Sequence, residues 1–381
     1  MKKSIKKVLS LGLVSMMAVA ALAGCGKKDG ARASFGEFLI GGLGPLTGSA
    51  ASYGTSVKQG AEIAIEEINA AGGVKVGSNL LTLKLDFADD EATGDTALSA
   101  YNSLMDKGIQ ALLGTVTSGA GLGIAEQTNA DGIFQVTPSG SALALTDLPN
   151  QFRLCFTDPF QGKTMADYAI DTLGYTKFAV IYNNSDEYSA GVMQAFVDEI
   201  AAKGGEVVTS EAFVTDAVDF TTQLTTIKGT DAEAIFVPAY YQDAAYITTQ
   251  ADELGMKLPF LGSDGWDGVI AKVVDPSVLE GAIFLSPFYA ADTAPEAQAF
   301  VKKYQEKYKA DPDQFAADGY DTVYVIKAAL EKAQSTESAD LIAAMPEIEV
   351  KGLTGDMTFQ DRQATKDAKF VEITGGKYTS K

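Results

Sequence analysis

The chain has 381 residues, of which 46% are hydrophobic, with 30 basic and 50 acidic side chains, two cysteines and no histidine. Its length exceeds that of one ordinary core, so we expect a globular α/β protein of two domains. The net charge of −20 argues against nucleic acid and anionic lipid surfaces as partners, and the lack of histidine excludes Ser-His-Asp catalysis, Cys-His catalysis and histidine-ligated metals.

The first 24 residues have the pattern of a secretory signal peptide. Four lysines lie within residues 1–7, and an uncharged run over residues 8–23 follows them. That run is shorter than the ~20 residues that a membrane span needs. Leu22-Ala23-Gly24-Cys25 resembles the bacterial lipobox, in which the cysteine is diacylated after cleavage. We predict a signal peptide over 1–24, a lipid anchor on Cys25 and a flexible tether over 25–36; the alternative is a plain secretory signal.

Cleavage changes the charge and the cysteine count. It removes four lysines and no acidic residue, leaving 26 basic against 50 acidic side chains and a net charge of −24. With Cys25 occupied by lipid, Cys155 has no partner for an internal disulfide. It lies in a strand-like run over 151–156, so we predict an inert core thiol.

From residue 37, short apolar runs alternate with amphipathic stretches, which predicts βαβ units and parallel sheets. The first series has strands at 37–43, 80–87, 111–116, 134–137 and 152–156, with helices at 56–71 and 94–107. The second series has helices at 160–173, 189–203, 219–228 and 242–254, with strands at 177–182, 207–214, 234–239, 259–262 and 281–287. Helices at 294–309, 315–333 and 337–345 and strands at 354–359 and 367–378 complete the lobes. Two such series predict two doubly wound lobes.

Ligands of open α/β sheets bind beyond the carboxyl ends of the strands. The strand over 111–116 ends in Thr117-Ser118-Gly119 and leads into a helical stretch, where hydroxyls and free amides suit a carboxylate. The alternative is that Thr117 or Ser118 is only a helix N-cap. The next strand ends in Thr137-Pro138-Ser139-Gly140-Ser141, a second hydroxyl-rich turn. A glycine-rich stretch over 41–48 lacks the spacing of a dinucleotide fingerprint, so no nucleotide cofactor is expected.

The strand ends of the second series carry a different chemistry. Tyr188, Tyr240 and Asp264 follow three of its strands, and aromatic rings with one acid suit a cation. The alternative for Asp264 is a turn or a helix cap. A carboxylate site on one lobe and an ammonium site on the other fit an α-amino acid.

A series of motifs over residues 37–374 resembles the leucine/isoleucine/valine-binding family of ABC-importer solute-binding proteins. Its markers include Gly44-Pro45-Leu46-Thr47-Gly48, Asp89-Asp90, Thr137-Pro138-Ser139, and Arg153, Asp158 and Gln161-Gly162. The resemblance implies the type I periplasmic binding protein fold, an α/β fold of two doubly wound Rossmann-like lobes joined by a three-segment hinge. It places lobe I at 37–157 and 287–359 and lobe II at 158–286 and 360–381.

The resemblance also implies roles for single residues. Ser118 and Ser141 match the positions that hold the ligand carboxylate together with nearby amides, and Ser139 contributes backbone; Thr117 is a further ligand residue predicted from its place at the strand end. Asp264 matches the acid that holds the ammonium, together with Tyr188 and Tyr240. The acid of the family is usually glutamate, so the shorter Asp264 implies a deeper ammonium or an intervening water. The positions that line the side-chain pocket are Tyr53, Val116, Trp266 and Phe315.

The function implied is capture of a free amino acid, branched-chain by default or else another neutral or aromatic one, outside the cytoplasm. A monomeric, lipid-anchored protein would deliver it to a membrane permease and its ATPase. One alternative is a sensor that presents the closed form to a membrane receptor. Another is a hydrolase with paired carboxylates, Asp264 with Asp267 or Asp89 with Asp90, although neither pair has a partner constellation. We expect no enzyme activity, no cofactor and no metal.

Overall fold

The computed structural model describes residues 35–381. The predicted signal peptide, the predicted lipidation site Cys25 and nearly all of the predicted tether lie outside the described residues. Within residues 35–381 the chain forms sixteen strands and ten α-helices. The helices are α1 (Ala51–Ala70), α2 (Gly94–Asp106), α3 (Ser118–Asp131), α4 (Asp158–Asp171), α5 (Glu187–Ala202), α6 (Thr221–Lys228), α7 (Tyr241–Glu253), α8 (Pro295–Tyr308), α9 (Gln314–Ala333) and α10 (Ser338–Ala344).

The strands fall into two sheets, as the two series predict. They are β1 (Phe35–Gly44), β2 (Val74–Val76), β3 (Asn79–Asp89), β4 (Ala111–Gly114), β5 (Gln135–Thr137), β6 (Gln151–Arg153), β7 (Lys177–Asn183), β8 (Glu206–Phe213), β9 (Ala234–Val237), β10 (Phe260–Gly262), β11 (Ile283–Ser286), β12 (Glu349–Gly352), β13 (Gly355–Gln360), β14 (Gln363–Ala364), β15 (Lys369–Thr374) and β16 (Lys377–Ser380). The first sheet has the order β12-β13-β14-β6-β5-β4-β1-β3-β2, and the second has the order β16-β15-β11-β10-β9-β7-β8.

Each sheet is parallel at its centre and antiparallel at an edge. In the first sheet β1 pairs in parallel with β3 and β4, and β4 pairs in parallel with β5. In the second, β9 lies between β7 and β10 in parallel register, and β11 pairs antiparallel with β15. Every residue of β4 and β9 is buried, as expected for central strands covered by helices on both faces. This is the predicted α/β fold of two doubly wound lobes.

Short edge elements were not predicted from the sequence. β2, β12 and β14 have two to four residues each and lie at or near a sheet edge. The predicted strand over 367–378 is in fact a hairpin of β15 and β16, turned by Gly375 and Gly376 with φ of 58° and 71°. Glycine adopts this left-handed backbone conformation without strain, so the chain can turn there and the predicted strand is divided into two.

The chain crosses between the sheets three times. β6 and β7 lie in different sheets, as do β11 and β12, and as do β14 and β15. The sequence-based division places residues 360–364 in lobe II, whereas Gln363 of β14 pairs with Arg153 of β6 in the first sheet. The passage into the second sheet therefore lies after Ala364. The hinge and the exact lobe boundaries stay predictions.

Two helices of lobe I are in direct backbone contact. A Cβ placed on Gly60 of α1 would lie 1.8 Å from the carbonyl oxygen of Ala316 in α9. A Cβ on Gly319 of α9 would lie 2.2 Å from the carbonyl oxygen of Val57 in α1. These reciprocal glycine contacts bring the helices closer than any side chain would allow, so α1 and α9 pack as one unit. Both helices carry residues of the cavity described next.

Candidate functional site

A small cavity lies where the two lobes face each other. Lobe I lines it with Tyr53 from α1, with residues after β4 and β5, and with Phe315 from α9. Lobe II lines it with Tyr188 from α5 and with residues after β9 and β10. The lining residues are Tyr53, Val116, Thr117, Ser118, Ser139, Ser141, Tyr188, Tyr240, Asp264, Gly265 and Phe315. The structure therefore brings together every residue predicted for the site except Trp266.

The first turn of α3 lies at this cavity, because Thr117 and Ser118 at its N-terminus line it. Thr117 occupies the N-cap position, but its side chain makes no capping hydrogen bond. Its Oγ1 is buried and has no partner among the described residues. The Oγ of Ser118 accepts hydrogen bonds from the N–H groups of Ser141 (3.2 Å) and Ala142 (3.1 Å), which leaves its own proton to donate. Hydroxyl donors and helix N-terminal amides together favour an anion.

The second hydroxyl-rich turn is held in place by a buried arginine. Arg153 of β6 is fully buried and donates to the carbonyl oxygens of Gly140 (3.0 Å), Ala142 (2.5 Å) and Leu143 (3.2 Å). Ser139 donates its hydroxyl to the carbonyl oxygen of Val116 at 2.7 Å, which ties the two turns together. The hydroxyl proton of Ser139 is therefore used within the protein, and only its backbone N–H remains to donate to a carboxylate.

The facing wall in lobe II is built around Asp264. Asp264 starts a 3-10 turn over Asp264–Trp266, and its Oδ1 accepts a hydrogen bond of 2.6 Å from the hydroxyl of Tyr188. That hydroxyl also lies 2.5 Å from the Oγ of Ser263 and accepts from the N–H of Gly265 at 3.0 Å. Burial raises the pKa of Asp264 to about 6, against the lowering effect of the Tyr188 bond. Asp264 is thus a buried carboxylate at the cavity, not a helix cap.

Gln161 and Gln314 position the Asp264 loop, and their roles are not evident from the sequence. The N–H of Asp264 donates to Oε1 of Gln161 at 3.0 Å, and the carbonyl oxygen of Asp264 accepts from Nε2 of Gln314 at 2.5 Å. The N–H of Gln314 donates to Oδ2 of Asp267 at 2.8 Å. Gln161 belongs to α4 of lobe II and Gln314 to α9 of lobe I. The loop is therefore held from both lobes.

An aromatic wall completes the cavity. The ring of Tyr53 packs against Phe315 with centroids 4.1 Å apart and edge-on against Tyr241 at 4.8 Å. Tyr240 lies edge-on to Tyr53 at 5.5 Å and stacks on Tyr188 at 5.1 Å. Tyr53 also crosses between the lobes: its hydroxyl donates to the carbonyl oxygen of Gly265 (2.5 Å) and accepts from the N–H of Tyr241 (3.0 Å).

The prediction that Trp266 lines the pocket is wrong. Its side chain is fully buried beneath the loop, and its indole N–H donates to the carbonyl oxygen of Val237 at 2.8 Å. The ring packs against Gly262, where an added Cβ would lie 2.6 Å from it. Trp266 follows Asp264 by two residues, but the 3-10 turn directs it into the core of lobe II.

Other acids near the site have structural partners. Asp89 accepts from the N–H of Leu46 (2.8 Å) and the hydroxyl of Thr47 (2.7 Å), which fixes the turn after β1. Burial raises the pKa of Asp158 to about 8, and a hydrogen bond from Ser141 lowers it. Among residues 35–381, no group of three or more cysteine, aspartate or glutamate side chains is arranged to hold a metal ion. Cys155 is buried and forms no disulfide within the described part of the chain, and burial raises the pKa of its thiol.

The chain has two α/β lobes with a cavity between them. One wall of the cavity carries hydrogen-bond donors for an anion, and the other carries a carboxylate. This arrangement is that of a two-lobed solute-binding protein. The chain belongs to the periplasmic binding protein family, which it matches over residues 37–377. Within the described part of the chain, no helix has the length and hydropathy to cross a membrane.

Relatives and solved structures agree with this assignment. The chain is 31% identical over 337 residues to the Leu/Ile/Val-binding protein homolog 3 of Brucella melitensis, covering 88% of each chain. It is similar to the branched-chain amino acid transporter substrate-binding protein LivJ of Streptococcus pneumoniae, solved with isoleucine, at 29% identity and a TM-score of 0.83 over 90% of this chain and 98% of that one. It is also similar to the leucine-binding protein LivK of Thermotoga maritima, at 27% identity and a TM-score of 0.82 over 90% and 97%.

Proposed function

We propose that this chain is the lipid-anchored, extracytoplasmic binding protein of an ABC importer, and that it binds a free amino acid between its lobes. One observation carries the proposal. The uncapped N-terminus of α3, with the unpaired hydroxyl of Thr117, faces the same cavity as the buried carboxylate of Asp264. The names of the relatives, which include proteins for leucine, isoleucine and valine, support an amino acid ligand.

The carboxylate of the ligand is assigned to the wall of lobe I. Thr117 and Ser118 have hydroxyl protons to donate, and the first turn of α3 adds backbone N–H groups and the positive end of the helix dipole. Arg153 does not line the cavity; it supports the wall by donating hydrogen bonds to carbonyl oxygens of the turn that carries Ser139 and Ser141. This wall binds anions without a formal positive charge in contact with the ligand.

The ammonium is assigned to Asp264, with Tyr188 and Tyr240 beside it. Tyr188 holds one carboxylate oxygen by its hydroxyl, which orients the group. The ring faces of the stacked pair Tyr188 and Tyr240 add cation–π attraction. A buried carboxylate without a lysine or arginine partner in the cavity lining has a strong preference for a cationic group.

Binding is coupled to closure of the lobes. Tyr53 donates to Gly265, the N–H of Gln314 donates to Asp267, and the N–H of Ser52 donates to the hydroxyl of Tyr241 at 3.3 Å; each joins lobe I to lobe II. A ligand that contacts both walls favours the closed form by its differential affinity. The closed monomer then docks on a permease, whose ATPase drives import. The ligand undergoes no covalent change.

A calorimetric titration with matched ligand analogues tests the site. A thermal-shift screen of the free L-amino acids first identifies the tightest ligand, since binding raises the melting temperature. That ligand is then compared with its deamino carboxylic acid and its decarboxylated amine. We expect each analogue to bind at least about a hundredfold more weakly, because it leaves one buried polar wall unpaired. A carboxylic acid that binds as tightly as the amino acid would contradict the ammonium assignment.

Two cellular experiments test the anchor and the role in import. A Cys25→Ser variant should leave the membrane fraction and appear in the medium or periplasm, while the unaltered protein stays with the membrane. Deleting the gene should abolish uptake of the radiolabelled ligand at low concentration. Normal uptake with a changed transcriptional response to the ligand would instead support the sensing alternative.

A further inference from the structure

One face of α9 carries buried polar side chains that do not line the cavity. Gln314, Asp318 and Asp321 are each exposed by 2% or less, and their spacing of four and three residues places them on the same side of the helix. We call this side the hinge face. The same helix is fixed in lobe I by the main-chain contact of Gly319 with α1. The polar groups of the hinge face are therefore held by a helix that cannot shift on its own.

Gln314 joins the hinge face to the second crossing and to the Asp264 loop. Ser286, the last residue of β11, shares its hydroxyl proton between the carbonyl oxygen of Phe288 (2.5 Å) and Oε1 of Gln314 (3.2 Å). Nε2 of Gln314 donates to the carbonyl oxygen of Asp264 at 2.5 Å, and its main-chain N–H donates to Asp267 at 2.8 Å. One buried residue thus links the start of a crossing to the loop to which we assign the ammonium.

Asp321 joins the hinge face to the third crossing through Thr354. Lys366 lies between β14 and β15, and its ammonium donates to the hydroxyl of Thr354 and to its carbonyl oxygen (3.3 Å). The Thr354 hydroxyl donates in turn to Oδ2 of Asp321 at 2.6 Å, and the N–H groups of Leu353 and Thr354 donate to the same carboxylate at 2.9 Å. The negative charges of Asp321 and Asp318 attract the ammonium. The third crossing is therefore held to the same helix as the second.

Two of the three crossings thus reach the ligand site through one helix. Lobes that close around a hinge rotate about the crossings, so each crossing must change direction. A crossing that is bonded to a rigid helix passes part of this change to the helix, since hydrogen-bond networks and rigid elements carry coupling between distant sites. The helix α9 also brings Phe315 to the cavity and holds the Asp264 loop. Movement at the crossings and the position of this loop are therefore linked.

We propose that the hinge face of α9 transmits closure of the lobes to the Asp264 loop, so that Gln314 and Thr354 are positioning residues for ligand binding although neither lines the cavity. The inference rests on the proposed function, because it takes the amino acid site as given and names what controls it. The bonds of Gln314 to the Asp264 loop join the two lobes, and opening breaks them. Their loss therefore acts on release of the ligand more than on its capture.

Stopped-flow fluorescence tests the transmission, with L-leucine or with the amino acid that the thermal-shift screen finds tightest. Trp266 is the one tryptophan of the chain and lies in the Asp264 loop, so it reports on that loop. Gln314→Met keeps the volume and the main-chain bond to Asp267 and removes both side-chain bonds. We expect the dissociation rate to rise about tenfold, with an association rate within about twofold of the unaltered protein.

Thr354→Val tests the third crossing. It removes the hydroxyl that lies between Lys366 and Asp321 and keeps both charges. The dissociation rate should rise about threefold, although Thr354 lies outside the cavity. A residue that served only the stability of lobe I would leave this rate unchanged.

Gln250→Met is the matched control. Gln250 of α7 also accepts one hydrogen bond, from the N–H of Phe220, and donates one, to the carbonyl oxygen of Val218, but both lie within lobe II. It should lose stability and keep the dissociation rate. Rates within twofold of the unaltered protein in both Gln314→Met and Thr354→Val would overturn the inference and leave the proposed function standing, as would an equal rise in Gln250→Met. Failure of the unaltered protein to bind any free L-amino acid would overturn both.

Discussion

The two walls of the cavity, to which we assign the carboxylate and the ammonium of the ligand, differ in how their charge is arranged. The wall of lobe I has no ionised group in the lining; it uses the hydroxyls of Thr117 and Ser118 and the first turn of α3. The wall of lobe II has a full charge on Asp264, oriented by Tyr188. Dipoles spread over several groups tolerate the loss of one member, whereas a single charge does not. We therefore expect the two walls to respond unequally to substitution and to pH.

The largest effect is expected at Asp264. Replacing it with alanine leaves the ligand ammonium buried and unpaired, which should cost about 2–5 kcal/mol of binding free energy. Asp264→Asn keeps the shape of the side chain and removes its charge, so it distinguishes the contribution of the charge to affinity from that of packing. Asp252→Ala, at an exposed position of α7, is the control. Calorimetric affinities within twofold of the unaltered protein in both Asp264 variants would contradict the ammonium assignment.

The next effect concerns Arg153, which supports the lobe I wall. Arg153→Met removes hydrogen bonds to three carbonyl oxygens; that of Gly140 is left buried without a side-chain donor, while those of Ala142 and Leu143 keep bonds from the N–H of Leu145 and the hydroxyl of Thr146. We expect the free energy of unfolding to fall by about 3 kcal/mol, measured by urea titration. Ligand affinity should fall as well, since the turn with Ser139 and Ser141 loosens. Unchanged affinity in a destabilised variant would show that the turn does not depend on Arg153.

A smaller effect is expected at Thr117. Thr117→Val removes one hydroxyl donor and should weaken binding by about 1.5 kcal/mol, less than the loss at Asp264. Because Oγ1 is buried without a partner, the melting temperature of the free protein should not fall. Thr128→Val is the contrast, since the Oγ1 of Thr128 accepts from Gln151 and donates to the carbonyl oxygen of Ala125. That variant should lose stability and keep its affinity.

The smallest effects concern pH. Burial raises the pKa of Asp158 to about 8, of Asp243 to about 7 and of Asp264 to about 6. Between pH 4 and pH 8 these three side chains thus hold more protons in the folded chain than in the unfolded chain, so their contribution to stability falls as the pH rises. We expect a melting temperature higher by about 5 °C at pH 5.5 than at pH 8. Asp158→Asn should reduce this difference.

Affinity should depend on pH in the opposite direction. Below about pH 6, Asp264 takes up a proton and its attraction for an ammonium is lost, while the donors of lobe I do not titrate. Calorimetry from pH 8 to pH 5 should show constant affinity down to about pH 6.5 and weaker binding below it. If the melting temperature rises and the affinity falls as the pH is lowered, the effect of the buried acids on stability is separate from the effect of Asp264 on binding.

The sequence was sufficient to predict the repeating architecture. Long amphipathic helices such as α5 and apolar central strands such as β4 have strong periodic signals, and ligand residues in this fold follow strand ends. The positions of Thr117, Tyr188 and Asp264 followed from that rule. Strands of two to four residues, such as β14, are too short to show an alternation of apolar and polar residues, so they could not be predicted.

Other features depend on tertiary contacts that no local pattern records. Trp266 has the composition of a pocket residue, but a 3-10 turn directs it under Gly262. Gln314 looks like any polar residue at a helix start, yet its side chain donates a hydrogen bond to the carbonyl oxygen of Asp264, 50 residues away in sequence. Arg153 carries one local hint, a lone charge within an apolar strand, and its three carbonyl partners follow only from the packing.

The reciprocal glycines of α1 and α9 have a consequence for how such a protein can diversify. Since Gly60 touches Ala316 and Gly319 touches Val57, the spacing of these helices is set by main-chain atoms and is indifferent to most side-chain changes. A descendant cannot widen its recognition gradually by letting a helix drift. If Tyr53 and Phe315 line the ligand site as predicted, a new ligand is admitted by exchanging one of these rings for another residue. Duplicated genes on this scaffold would therefore differ by few substitutions and by large steps in ligand choice.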